Sequence, residues 1–368
     1  MPKPSDYFLS DADNAAIFEQ QILPAEFGTV AQEPEVTAAI SNGRRPVCII
    51  LAGQTGAGKS HAAPALAAAL SKLAPSAGTS YCHLVADTHK PYHPAYTGLV
   101  ADATAGRGPP GLASAATGHD ARRWLARACA VAASRGLPTL VESASRYPQD
   151  VVDMAGIFHD HNYRVCLVLL SVHPVQSRLG LLARFLDAKA APAPMENVAG
   201  DVKTTTKKAM PVRLTPRRIH DESYVGLVEL AEKLDAQTST SPLADAVLIL
   251  RRGNQVAYTN YWIKSGDGDK QRQWQTLPAG VSSSLSTERE KRQLDKDDSA
   301  ESSPLAAESQ LFSSDVERLR AAHPGRAIEL DALASEYAAT TPQETETGPT
   351  FYHLLGPDAL VAHLQSDW

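Results

Sequence analysis

The sequence predicts an α/β protein, a doubly wound and mostly parallel sheet with flanking helices, plus a C-terminal helical appendage. Three observations carry this expectation. Short apolar runs alternate with longer helical stretches from Pro46 to Tyr261, the pattern of consecutive βαβ units. The first run, Pro46 to Ala52, is rich in β-branched residues without polar alternation, as for a strand buried on both faces. It leads directly into Gly53-Gln54-Thr55-Gly56-Ala57-Gly58-Lys59-Ser60 and then a helix-forming run, which is the setting of a phosphate-binding glycine loop, or P-loop.

The elements follow in order. Asp11 to Gly28 carries Ile17, Phe18, Ile22 and Leu23 at helical spacing, with Ser10 and Asp11 available as caps. After the glycine loop, helices at Ser60 to Leu73 and His119 to Arg135 alternate with strands at Tyr81 to Ala86, Pro138 to Glu142 and Arg164 to Ser171. Asp245 to Leu250, the turn Arg251-Arg252-Gly253-Asn254, and Gln255 to Tyr261 read as a hairpin at the sheet edge. Between Ala188 and Lys208 the Pro- and Thr-rich composition predicts a mobile insertion. These signals set a nucleotide-binding domain at 1–264, a polar linker or disordered segment at 265–310, and a small helical appendage at 311–368. The appendage shows helical periodicity in Val316, Leu319, Leu330, Leu333 and Tyr337, then Leu354, Leu355, Leu360 and Leu364.

Bulk composition narrows the function. The chain has 368 residues, a formal net charge of -6 and a sequence pI near 6.1, so it lacks the basic footprint of a nucleic-acid binder. Cys48, Cys82, Cys129 and Cys166 have no C-x-x-C spacing and read as reduced core thiols rather than metal ligands or disulfides. With no apolar h-region near Met1 and no run of about 18 apolar residues, neither a secretion signal nor a membrane span is expected. The expected location is cytoplasmic and the expected partner a small metabolite.

Glycines 53, 56 and 58 let backbone N–H groups turn inward around phosphate oxygens, while the following helix adds its positive end. Lys59 supplies charge to the β and γ phosphates, and Ser60 offers its hydroxyl to Mg²⁺. Asp87 and Glu142 each stand at the carboxyl end of a strand, where the ligand crevice of an open α/β sheet lies. Asp87 is placed to accept a proton from an attacking hydroxyl, the competing reading being a helix cap. Glu142 is placed to bind substrate hydroxyls or to order Mg²⁺ through water. Phosphoryl transfer also needs cations, and Arg178, Arg184, Arg213, Arg217 and Arg218 are the available set.

From Tyr7 to Tyr261 the chain resembles the zeta toxins, the P-loop kinase toxins of epsilon/zeta toxin–antitoxin systems. The resemblance rests on Tyr7-Phe8-Leu9-Ser10, Ile22-Leu23-Pro24, the glycine loop, Asp87-x-x-Lys90-x-x-His93-Pro94-x-Tyr96, and His119 to Leu125 with Trp124. It extends to Val141-Glu142-Ser143-Ala144-Ser145-Arg146 and to Arg213-Leu214-Thr215-Pro216-Arg217-Arg218-Ile219-His220-Asp221 with Tyr224. Such a likeness implies ATP or GTP as phosphoryl donor with Mg²⁺, and as acceptor the 3'-hydroxyl of the sugar in UDP-N-acetylglucosamine, with a small antitoxin protein as partner. It further implies that Lys59 and Ser60 hold phosphate and metal, that Asp87 is the base, and that Lys90, His93 and Glu142 serve the substrate side. Arg184 and Arg213 take the places of the γ-phosphate arginines, with Arg217 as the rival of Arg213 because the insertion lengthens the connection between them. NAD or another nucleotide-like metabolite is the alternative acceptor, and a nucleotide-binding module without transferase activity is the alternative of another class.

Overall fold

The computed structural model describes residues 2–28, 45–73, 81–109, 111–190, 214–238, 242–264, 272–274, 280–290, 304–340 and 353–354. The expected insertion from Ala188 to Lys208 lies outside these beyond Ala190, as does Arg213. The chain starts with α1 (Asp11–Ile17), where the Ser10 hydroxyl accepts the Asp13 N–H at 3.1 Å, and a π-helical turn (Phe18–Ile22) passes into α2 (Leu23–Phe27). Then come β1 (Val47–Ala52), α3 (Lys59–Leu73), β2 (Cys82–Val85), α4 (Ala86–His89), α5 (Tyr96–Thr104), α6 (Leu112–Ser134) and β3 (Thr139–Ser143). The core continues through α7 (Pro148–Asp160), β4 (Arg164–Leu170), α8 (Pro174–Ala190), α9 (Arg217–Asp235), β5 (Ala246–Arg251) and β6 (Gln255–Lys264). Last are β7 (Arg272–Trp274), α10 (Val281–Glu290), α11 (Pro304–Ala322), α12 (Ala327–Ala339) and β8 (His353–Leu354).

The strand order is β2-β3-β1-β4-β5-β6-β7, with β8 also paired to β6. Strands β1 to β5 pair in parallel and β6 runs antiparallel to β5, forming the expected hairpin. Because β1 is flanked by β3 on one side and β4 on the other, the connections diverge at its carboxyl end and open a crevice there. Alternation along β1 splits the core into two layers. Cys48, Ile50 and Ala52 face a cluster with Trp124, Phe158 and Leu230, whereas Val47, Ile49 and Leu51 face one with Leu66 and Leu70. The doubly wound, mostly parallel sheet read from the sequence is thus the observed fold.

Some expectations need correction. Helix α6 starts at Leu112, seven residues before His119, because Gly111 turns the chain at φ 87° immediately ahead of it. Within the segment expected as a linker, α10 packs Val281 and Leu285 into the sheet core, and its first N–H groups, on Val281 and Ser282, donate to the Asp235 carboxylate at 2.6 and 2.9 Å. The appendage does not stand apart. Phe312, Val316, Leu319 and Leu330 form a third apolar cluster with Val175, Leu179, Leu182 and Leu186 of α8. All four cysteines are free thiols, and burial pushes Cys82 up to about 12, which leaves it unreactive near neutrality. Among the described residues no helix is long and apolar enough to cross a membrane.

Candidate active site

The cleft at the end of β1 has a volume of 1540 Å³ and is lined by the glycine loop, Asp87, Lys90, Glu142, Arg184 and Arg218 among others. Backbone contacts fix the loop. Gly56 and Gly58 take φ values of 84° and 94°, and a Cβ on Gly56 would stand 2.0 Å from the Ser177 carbonyl oxygen. Gly180, on the same helix α8 as Ser177, also meets the loop, and a Cβ there would stand 2.7 Å from the Gly56 carbonyl oxygen. Neither position accepts a side chain without moving backbone.

Gln54 is buried, and its Nε2 donates to the Val172 carbonyl at 2.6 Å and to Ser177 Oγ at 3.3 Å. Ser177 Oγ in turn lies 2.7 Å from His220 Nε2, and His220 Nδ1 lies 2.9 Å from Asp221 Oδ1. Burial pushes the His220 imidazole below its ordinary value, against the opposing pull of Asp221. The chain of contacts fastens the loop to α8 and α9. Gln54 therefore supports the loop from behind rather than facing a ligand. Thr55 Oγ1, in contrast, is a buried atom on the cleft-lining loop without a hydrogen-bond partner among the described residues, and a phosphate oxygen there would satisfy it.

Lys59 Nζ donates to the carbonyls of Gly53 at 2.7 Å and Gln54 at 3.4 Å. Desolvation lowers its pKa from 10.5 to about 8, partly offset by the carboxylates of Glu142 and Asp87, while Arg184 adds to the lowering. These four side chains share one electrostatic field across the cleft. Asp87 sits in the first turn of α4, half exposed, and its Oδ1 lies 2.5 Å from Lys90 Nζ. Lys90 is buried and also donates to Ser114 Oγ of α6 at 2.6 Å, so both ends of the pair are held. Glu142 Oε1 lies 2.9 Å from His83 Nε2.

His93 does not line this cleft. It is buried, with Nδ1 accepting the Ala95 N–H at 3.2 Å and Nε2 lying 3.1 Å from the Tyr7 carbonyl and 3.4 Å from Asp120 Oδ2. Desolvation lowers its pKa, with Asp120 opposing. Asp120 also accepts from the Leu9 N–H at 3.2 Å and from Asn14 Nδ2 at 2.9 Å. The His93-Pro94 segment therefore ties the N-terminal segment to α6, a structural task where the sequence reading gave it substrate.

The arginines separate. Arg184 is exposed on α8 and makes no ion pair among the described residues. Arg178 is turned away, its Nη2 bonded to Glu336 of α12. Arg217 is mostly exposed, 3.6 Å from Asp221, and lines a second concavity instead of the main cleft. Arg218 reaches the main cleft while 3.1 Å from Glu222. The sequence reading missed a cationic and aromatic group at the Asp87 end. Arg122 lies 4.3 Å from the Tyr147 ring centroid and Arg146 lies 5.0 Å from it, and Asp150 pairs with Arg122 at 3.0 Å. The signal available was Arg146-Tyr147 just after β3, the strand that carries Glu142, where the crevice rule already pointed.

A magnesium ion suits the donor set. Ser60 Oγ, the Glu142 carboxylate and phosphate oxygens are all hard oxygen ligands, and Mg²⁺ uses few protein ligands when phosphate is present. A glycine loop at the switch point of a parallel sheet, a lysine within it and carboxylates facing that lysine define a P-loop nucleotide-binding protein of the phosphotransferase kind. The sequence profile of the family described as Zeta toxin matches residues 32–261, well over half of the chain. The chain belongs to the zeta toxin family and is a kinase toxin by that membership.

A solved structure from the PezAT chromosomal toxin–antitoxin system of Streptococcus pneumoniae shares the fold. It is 16% identical with a TM-score of 0.50, over 85% of this chain and 98% of that one. The AvrRxo1-ORF1:AvrRxo1-ORF2 complex matches with sulphate ions at 16% identity and with ATP at 15%, each at a TM-score of 0.39. Those matches cover 96% and 90% of this chain and 89% and 90% of theirs. No curated protein matches the chain.

Proposed function

We propose that the protein transfers the γ-phosphate of ATP or GTP to a hydroxyl of a nucleotide sugar, the 3'-hydroxyl of the sugar in UDP-N-acetylglucosamine being the preferred acceptor. The observation that carries this reading is the electrostatic grouping of Asp87 and Glu142 with Lys59 and Arg184 in one cleft. Binding a nucleotide requires the lysine and the loop but no carboxylate on the acceptor side. In the reaction, Asp87 accepts the proton as the acceptor oxygen bonds to the γ-phosphorus and the bond to the bridging oxygen of ADP breaks. Lys59 and Arg184, joined by Arg213 or Arg217 if either reaches the γ-phosphate, balance charge on the transferring group. Lys90 fixes the orientation of the base, and Glu142 holds acceptor hydroxyls. Magnesium, when bound at Ser60, would neutralise charge on the β and γ oxygens. The cleft exceeds the usual range of about 300–1,000 Å³ for small-molecule sites, which suits two nucleotides bound together. A small antitoxin protein that blocks this cleft is the proposed partner.

Purified protein incubated with ATP, Mg²⁺ and a panel of UDP-sugars and dinucleotides, with product masses measured, tests the proposal. Phosphorylated UDP-N-acetylglucosamine is the expected product. Phosphorylated NAD alone would move the reaction to the dinucleotide, and no product from any acceptor would leave a nucleotide binder.

A further inference from the structure

We infer that helix α11, beyond the residues that the family profile matches, walls the donor site and lies against the nucleoside of the donor, with Leu311 as its apolar contact. This rests on the reading of the glycine loop as the donor phosphate cradle. If the γ-phosphate faces Asp87, on the β2–β3 side of β1, the rest of the donor runs the opposite way, towards β4 and β5. On that side the cleft is bounded by α8, by the β5–β6 turn and by α11.

Two stripes of α11 do different things. Phe312, Val316 and Leu319 bury against α8. Leu311, Asp315 and Arg318, one position earlier in each case, form the adjoining stripe at i, i+4 and i+7, and all three line the cleft. Leu311 is 52% exposed, a large apolar side chain left open at the mouth of a charged site. The charges around it cancel in pairs. Asp315 lies 3.4 Å from Arg252 in the β5–β6 turn and 3.6 Å from Arg318, and Arg318 lies 3.0 Å from Asp187 of α8. The turn itself is tied to the first turn of α3, where Asn254 Nδ2 donates to the His61 carbonyl at 3.3 Å. Within this group two arginines are matched by two aspartates, so it adds no net charge to attract further phosphate. An apolar face with polar groups at its edge suits an uncharged, flat heterocycle with a ribose.

The test compares ATP with inorganic tripolyphosphate, which carries the phosphates without the nucleoside. In isothermal titration, Leu311→Ser is expected to weaken ATP binding about five- to tenfold and to leave tripolyphosphate unchanged, since the exchange is neutral. The side chain is half exposed, so the variant keeps its fold, and a thermal melt verifies this. ATP affinity equal to that of the wild type would overturn the inference, as would equal weakening of ATP and tripolyphosphate. Wild-type protein that binds tripolyphosphate but gains nothing from the nucleoside would overturn the inference alone. Protein that binds neither would overturn the donor reading beneath it as well.

Discussion

At the glycine loop the geometry of the cleft is set by backbone against backbone, whereas around Asp87 it is set by side chains that hold one another. Gly56 and Gly180 leave no room for a single carbon, and Gln54 is bonded to the carbonyl of Val172. Asp87, Lys90 and Ser114 instead form a line of side-chain contacts, with Arg122, Tyr147 and Asp150 as a second group nearby. A backbone-made cradle binds what every nucleotide has and resists alteration. Side chains that position one another can be exchanged without moving the cradle, so in the proposed reaction the acceptor side is the adjustable one and the phosphate side is not.

The sharpest way to test this contrast is Asp87→Asn, which keeps shape but removes the basic oxygen. Turnover should fall about 10²–10⁴-fold while ATP affinity is unchanged, measured by steady-state kinetics and titration. Loss of ATP affinity to the same degree would move Asp87 to the donor side and merge the two regions. Next in size is Phe312→Ala, which opens a cavity between α11 and α8 beside the stacked Tyr337 ring at 3.9 Å. A loss of about 3–5 kcal/mol in denaturant unfolding is expected. A much smaller loss would mean that the appendage is not part of the cooperative unit.

Lys59 links the regions through pH. Its folded pKa of about 8 lies below the ordinary lysine value of 10.5, so between these values the unfolded chain binds the extra proton. Stability of the ligand-free protein should therefore rise with pH across that window through this group, while ATP affinity falls up to about tenfold per pH unit above 8. Urea melts and titrations of wild type against Lys59→Met check both signs, the difference between the two proteins separating this group from the buried cysteines and tyrosines that titrate in the same window. The smallest effect belongs to Arg217→Ala. With the side chain 71% exposed and 3.6 Å from Asp221, stability should change by less than about 0.5 kcal/mol. A large loss of turnover there would instead bring Arg217 to the γ-phosphate, as the rival of Arg213.

What was legible in the sequence follows the range of the forces involved. Strand β1 and the loop after it could be read because burial on both faces and positive φ at Gly56 and Gly58 leave local marks. The crevice rule brought Asp87 and Glu142 together because strand ends are local as well. His93 was misread since its partners, Tyr7 and Asp120, are distant in sequence and nothing nearby reveals them. Helix α10 was missed because two apolar side chains, Val281 and Leu285, are too few to mark a face in a polar run, though both are fully buried. The periodicity of 311–340 was visible, but not that its apolar stripe had a counterpart on α8.

Gly180 has a mechanical consequence. It is the place where a long helix touches the phosphate loop with no side chain between them, so the two move as one lever. Since α8 also carries the α11–α12 pair on its other face, those outer helices rest on the same helix that meets the phosphate loop at Gly180, at Ser177 and through Gln54. A methyl group at Gly180 would act as a wedge at that contact, separating the part of the molecule that grips phosphate from the part that frames it while both remain folded.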